Sequence, residues 1–212
     1  MTTQGDGPVR LVLATHNAHK VAELRRILGP ALAGIDLVGY EGPEPVEDGD
    51  TFEANALIKA RAAARHSGAP AIADDSGICV DALGGAPGIR SARYAAESDG
   101  AKGDDGANLL RLLAELGDTE DRAGHFACAA AFAVPDGAGG IAHEEVVLAR
   151  WPGRIARERA GVGGFGYDPI FLPHDAAVTA AELAPEVKDA LSHRRQAFDA
   201  LMPRVRARLL GG

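Results

Sequence analysis

Cysteine is scarce in this chain, and no hydrophobic run in it is long. Its 212 residues include two cysteines, Cys79 and Cys128, set in the apolar stretches Ile78-Cys79-Val80 and Ala127-Cys128-Ala129-Ala130. That placement excludes a thiolate metal site and reads as two small buried apolar side chains. No apolar run reaches the ~20 residues needed to span a bilayer. Met1 to Pro8 is polar and Gly-rich, without the apolar segment of a signal peptide, so the cytoplasm is the expected compartment. Basic residues are in deficit: 22 Lys and Arg against 30 Asp and Glu leave a net charge of -8. Nucleic acid and anionic membrane are thereby excluded as partners, because both are bound by Lys and Arg that displace counterions. A small nucleotide stays compatible where local cations and a metal offset its charge. A composition 46% hydrophobic and 25% charged suffices for one sizeable core or for a domain with a cleft. A single domain over 1–212 is expected, with residues 1–8 as a flexible tail.

The spacing predicts a strand over Val9 to Ala14 that ends at the polar cluster Thr15-His16-Asn17. A helix follows on Val21, Leu24 and Leu28 and stops at Gly29-Pro30. Glu41 to Asp50 reads as an acidic loop. The helix after it, Phe52 to His66, is expected to start on a capping box of Asp50 and Glu53 and to close at Gly68-Ala69-Pro70. A buried strand, Pro70 to Ala73, then runs into Asp74-Asp75-Ser76-Gly77, where the glycine is expected to let the chain turn sharply. Ile78 to Val80 lies beyond. Gly84 to Gly88 is a loop, Asp99 to Gly106 a polar connection, and Ala107 to Leu116 a helix. Phe126 to Val134 and Glu145 to Trp151 read as an antiparallel hairpin about Pro135-Asp136-Gly137. Gly161 to Pro169 is too glycine-rich for a regular element and should be a loop shaped around something. Thr179 to Glu182 has capping-box form, and Phe198, Leu201, Val205 and Leu209 make a helical stripe with Pro203 inside it, where a kink or a start is expected. The mixture favours α/β or α+β with a mixed sheet.

Several groups of residues suit phosphate chemistry. Thr15, His16, Asn17 and Lys20 lie where a strand turns into a helix, and helix-end NH groups there attract anions. Asn17 as a plain helix cap is the simpler alternative. Asp74 and Asp75 offer hard oxygen ligands, and either can hold a divalent cation and accept a proton from water. An Asx-turn is the alternative. Among the acids Glu44, Glu47, Asp48, Asp50 and Glu53, Glu47 is the best second carboxylate. Asn55 and Lys59, four apart, share one helix face: if it borders a cleft, Lys59 meets phosphate and Asn55 steadies it, and otherwise both are ordinary surface residues. Phe165 and Tyr167 among glycines suit stacking on a purine whose edge meets backbone groups, with Asp168 ordering the loop. A connector with core aromatics is the other reading. His193-Arg194, with Lys188 before it, can present donors to a base carbonyl or a phosphate.

Together the stretches LATHNAHKVAEL, DGDTFEANALIKARAAA, AIADDSGICVDALGGAPGIRSARYA, WPGRI, GGFGYDPIF and AELAPEVKDALSHRRQA resemble the inosine triphosphate pyrophosphatases, which remove non-canonical purine nucleotides. They run in the family's order from residue 11 to about 200. The resemblance implies an elongated α/β fold with a long mixed sheet flanked by helices, two lobes with the active site in the cleft between them, and a homodimer. It implies hydrolysis of inosine, deoxyinosine and xanthosine triphosphates to monophosphate and pyrophosphate with magnesium, for which manganese can substitute. Thr15, His16, Asn17, Ala18, His19 and Lys20 would bind the triphosphate. Glu47 and Asp75 would ligate the metal, with Asp75 as general base. Ser76, Phe165, Gly166, Tyr167, Asp168, Lys188, His193 and Arg194 would contact substrate, and Asn55, Lys59 and Asp74 would complete the polar shell. Preference for a 6-keto purine would come from His193, Arg194 and loop NH groups that read O6. Arg195 stands where the family commonly has glycine. The competing readings are a pyrophosphatase for methylated pyrimidine triphosphates, a nucleotide-sensing module, and a phosphatase that releases orthophosphate.

Overall fold

The computed structural model describes residues 7–16, 18–96 and 103–211. Residues 1–6 of the expected tail, Asn17, and 99–102 of the polar connection therefore lie outside the described residues. The main elements are β1 (Val9–Leu13), α1 (Ala18–Leu28), β2 (Ile35–Gly39), α2 (Phe52–Ser67), β3 (Ala71–Val80), α3 (Asp105–Leu116), β4 (Ala123–Pro135), β5 (Ile141–Ile155), β6 (Phe171–Pro173), α4 (Pro185–Leu191) and α5 (His193–Leu210). The six strands form one mixed sheet in the order β2-β1-β3-β4-β5-β6. This is the expected α/β fold. β1 pairs parallel with β2, Val9 opposite Ile35 through Leu13 opposite Gly39, and parallel with β3, Val12 opposite Ala71 and Leu13 opposite Ile72. β4 and β5 are neighbours joined by a tight turn, a linkage that only antiparallel strands can make. Asp136 Oδ1 holds that turn by accepting the amides of Ala138 (2.7 Å) and Gly140 (2.8 Å). β6 closes the order antiparallel to β5.

Five local expectations change. β2 was not foreseen, although Ile35 and Leu37 are buried and Asp36 between them is exposed, the alternation of a one-sided strand. β6 has three residues and ends in proline, which a ladder tolerates at an edge. α2 begins at Phe52 as expected but is capped by Thr51, not Asp50: the Thr51 side chain accepts the Ala54 amide at 3.1 Å. Thr179 and Glu182 do bond, the amide and hydroxyl of Thr179 both donating to Glu182 Oε2 at 2.9 Å. They close a turn, however, and the next helix begins at Pro185. Pro203 sits inside α5, which runs through it from His193 to Leu210.

The largest change is at Asp74-Asp75-Ser76-Gly77. No turn occurs there; β3 continues through all four residues. Gly77 is needed for space. A Cβ on it would overlap the Gly88 carbonyl oxygen and Ser91 Oγ. Ser91 is fastened at this point, its Oγ accepting the Ile78 amide at 2.9 Å and donating to Gly88 O at 2.6 Å.

The chain packs as two compact units. One comprises Met1–Asp75, Ala129–Leu148 and Ala197–Gly212; the other comprises Ser76–Cys128 and Ala149–Gln196. In the first, α2 presents the small stripe Ala56, Ala60, Ala63 and Ala64, all buried, and it lies against β1. Alanine at those positions allows a close approach of helix to sheet, with Asn55 and Lys59 on the flank of the stripe. In the second, Ile78, Val80, Leu109, Leu112, Phe126, Trp151, Ile155, Ile170 and Phe171 form the core. Cys128 is buried as expected, whereas Cys79 is half-buried, and neither is in a disulfide.

Gly77→Ala should cost about 1–3 kcal/mol, because the obstacle is backbone carbonyl and a fastened serine. For a chain of this length that is a fall of about 2–12 °C in Tm by calorimetry. An unchanged Tm would show that the 88–91 segment yields freely.

Candidate active site

Parallel pairing decides what meets in the first unit. β2, β1 and β3 run the same way, and the register sets Leu13 opposite both Gly39 and Ile72. The segments that follow these three residues therefore emerge at one end of the sheet. They are the acidic loop from Tyr40, the turn from Ala14 into α1, and Asp74-Asp75. Ligands of open α/β sheets bind at such carboxyl ends. The expected strand-turn-helix unit is present, with α1 starting at Ala18 after Thr15 and His16. His16 Nδ1 lies 3.0 Å from Glu44 Oε1, and its ring stacks on Tyr40 at 5.5 Å between centroids. Glu44 thus pairs with the turn, a role that the acid run did not reveal in the sequence.

Adjacent strand residues point to opposite faces, so the two aspartates meet different lysines. Asp74, buried, takes Lys20 Nζ at 3.3 Å. Asp75 Oδ1 takes Lys59 Nζ at 2.9 Å, and the same ammonium lies 3.1 Å from Glu47 Oε2. The other oxygen of Asp75, Oδ2, is buried and makes no hydrogen bond. Burial pushes the Asp75 carboxyl above the usual range, and Glu47 adds to this; Lys59 and Lys20 pull it down, but the net direction is up. Burial opposes the charge on Lys59, yet the carboxylates of Asp75, Glu47 and Asp74 outweigh it and hold the ammonium above its ordinary value. Burial dominates at Asp75 and the neighbouring acids dominate at Lys59, in a corner where three acids meet two lysines. One more positive charge would be stabilised there.

Asn55 has a partner that the helix face did not suggest. It is buried and its Oδ1 accepts the Gly49 amide at 2.9 Å. It therefore fixes the loop that carries Glu47, and the steadying of phosphate that the helix face suggested is not its visible work. Among the described residues no group of three or more His, Cys, Asp and Glu side chains converges as a metal cage. Magnesium does not need one, since it usually takes one or two protein carboxylates and fills its octahedron with water and phosphate oxygens. Glu47 and Asp75, with a buried carboxylate oxygen unengaged, fit that demand.

The second unit gathers the remaining residues. Asp168 is buried. Its Oδ2 accepts the Phe165 amide at 2.8 Å and Lys188 Nζ at 2.5 Å, so it does order the glycine loop. The Phe165 ring is 48% exposed and has Lys188 Nζ at 4.9 Å and the Arg194 guanidinium at 5.7 Å from its centre. Arg194, itself buried, donates to Ser76 Oγ at 3.2 Å. His193 is buried and stacks on Phe126 at 4.8 Å, nearly parallel.

Two expectations for this loop are corrected. Tyr167 offers no face for stacking: it is 5% exposed within the core, and its hydroxyl donates to the Ser91 carbonyl at 2.9 Å. The loop amides are also largely committed. Those of Gly163, Phe165, Gly166 and Asp168 go to Ala181 O, Asp168 Oδ2, Asp105 Oδ2 and Phe165 O. Ala18 and His19 begin α1, and Thr15 is half-buried in the turn before it. Ser91 and Asp105 went unnoticed in the sequence, where neither stands in a pattern that marks it.

With divalent cations chelated, the Asp75 carboxyl should titrate above the ordinary carboxylate range, and Lys59→Met should raise it further by removing the main opposing charge. Carbon-detected NMR of the side chain against pH measures both. A downward shift in Lys59→Met would contradict this electrostatic account.

The matching region of the Ham1 family model covers residues 11–204. A dITP/XTP pyrophosphatase of Leifsonia xyli is 59% identical over 94% of this chain and 96% of its own. One of Streptomyces coelicolor is 53% identical over 95% and 99%. The Ham1 protein of Staphylococcus aureus, a solved structure, superposes with a TM-score of 0.81 at 36% identity, covering 94% of this chain and 99% of that one. The dITP/XTP pyrophosphatase structure from Mycobacterium abscessus gives 0.72 at 47%, covering 93% and 100%. With a shared mixed-sheet fold, nearly full coverage in both directions and the acid-lysine corner in place, this chain belongs to the Ham1 family.

Proposed function

We propose that this hydrolase converts non-canonical purine nucleoside triphosphates, those of inosine, deoxyinosine and xanthosine, to the monophosphate and pyrophosphate. The observation that carries the reading is Asp75: one oxygen on Lys59, the other buried and unengaged. A pure phosphate binder gains nothing from acids at that place, whereas a hydrolase uses them for metal and proton. Family membership and relatives of that activity at 59% and 53% identity support it.

In this reading Glu47 and Asp75 hold magnesium, or manganese in its stead. The ion, when bound, polarises the phosphoryl oxygens and offsets charge on the leaving group. Lys59 holds both carboxylates in register and, with Lys20 and the Thr15 to Lys20 turn, balances the triphosphate. The Asp75 carboxylate takes a proton from the attacking water at the α-β junction, a task for which its unengaged oxygen is available. The exposed ring of Phe165 stacks on the purine, with Lys188, Asp168, Ser76, His193 and Arg194 about the base. A 6-amino group would set donor against donor where a 6-keto oxygen is accepted, a rejection of the normal base. Assembly as a homodimer and residence in the cytoplasm belong to the same reading. Among the described residues no helix is long and apolar enough to cross a membrane.

Incubation with inosine triphosphate and magnesium, followed by chromatography, should yield inosine monophosphate and pyrophosphate. Diphosphate with orthophosphate would sink the proposal. Asp75→Asn should lower turnover by about 10²–10⁴-fold with circular dichroism unchanged, the usual contribution of a positioned base. Near-normal turnover would remove Asp75 from the chemistry.

A further inference from the structure

We infer that Asp105 is a positioning residue for base selection, an assignment that rests on the nucleotide reading above. Asp105 lies in the first turn of α3, and its Oδ2 accepts the Gly166 amide at 3.0 Å. Gly166 has a φ of +60° and joins Phe165 to Tyr167. At that left-handed residue the chain has no regular partner for its NH, and an acceptor from outside the loop fixes the turn.

The bond belongs to a set. α3 carries Asp105, Asn108, Arg111 and Glu115, spaced so that they lie along one side of the helix. Asn108 accepts the Ala95 amide at 2.7 Å and donates to Ala92 O at 3.3 Å. Arg111 donates to Tyr94 O at 2.5 Å and lies over the Tyr94 ring, and Glu115 accepts the Tyr94 hydroxyl. Three residues of the stripe thus hold the segment from Ala92 to Ala95, and the fourth holds the glycine loop. The glycine loop also meets the residue just before the other segment, through the Tyr167 hydroxyl donating to the Ser91 carbonyl. Phe165 is consequently located from two sides: by Asp168 on its own amide, and by Asp105 on the next. Asp105 touches no reacting group in this arrangement. Its removal frees the peptide that aims the Phe165 ring and leaves the Asp75 corner intact.

Asp104, not Asp105, caps α3, its side chain accepting the Ala107 amide at 2.9 Å, so Asp105→Ala leaves the helix start in place. In that variant, KM for inosine triphosphate should rise about 3–10-fold, the range for net loss of one ordinary hydrogen bond. Turnover should stay within about twofold, and the ratio of kcat/KM for inosine over guanosine triphosphate should fall. Asp105→Asn keeps an acceptor oxygen and should recover most of both. Two-dimensional NMR should show the Gly166 amide exchanging faster in Asp105→Ala. That readout needs no turnover, so it tests the placement even if inosine triphosphate proves not to be a substrate. Unchanged KM and selectivity in Asp105→Ala would overturn the inference, as would equal loss of kcat on every substrate or no recovery in Asp105→Asn.

Discussion

The bridge from Lys59 to Glu47 and Asp75 is the interaction on which the first unit's site depends. A lysine buried this far is expensive unless its charge is matched, and here it is matched to excess. The excess is negative, so the corner is stable as a fold element and still short of positive charge. Asn55 serves the same end by pinning Gly49, which keeps Glu47 on its loop within reach of Lys59. Without that pin an exposed acidic loop would lose the carboxylate to solvent, and the bridge would have one arm.

The second unit works by a different constraint, the saturation of backbone donors. A loop with glycine at 161, 163, 164 and 166 would ordinarily be mobile, because glycine loses more conformational freedom on ordering than any other residue. Here four of its amides are tied to protein oxygens, and Tyr167 is sunk in the core below it. What remains outward includes Val162 and one half-exposed aromatic ring with two cations over it. Cations near a ring draw on its electron-rich face and define where it sits. Glycine in this loop thus provides unusual backbone angles, and the hydrogen bonds restore order.

Much of this was legible in the sequence, and the reasons differ by residue. The paired acids and Lys59 could be seen because charge placed in and beside apolar stretches is costly and therefore conspicuous. The turn into α1 could be seen because hydrophobic period changes there from strand to helix. Other features depend on partners remote in sequence. Gly77 read as a turn because glycine's commonest use is conformational; that it makes room for Gly88 and Ser91 depends on a contact eleven and fourteen residues away. Tyr167 read as a stacking partner because it stands beside Phe165, yet burial divides the two, and burial belongs to the core assembled by Leu109, Trp151 and Phe171. β2 escaped notice because five residues with two buried positions give a weak period, one that parallel pairing with β1 supplements.

The straightness of β3 through Asp74, Asp75 and Ser76 has a consequence that a turn would not. In a turn, the two carboxylates would depend on a few torsions and would splay or converge as these relaxed. In a strand, the ladder fixes the backbone, and alternation forces neighbouring side chains apart. Asp74 is thereby committed to Lys20 and Asp75 to Lys59, so two adjacent acids of identical chemistry acquire separate tasks. Of the two, Asp75 has the oxygen left over. The difference between the two acids, one paired with Lys20 and the other with an oxygen left over beside Lys59, follows from strand geometry before any substrate is considered.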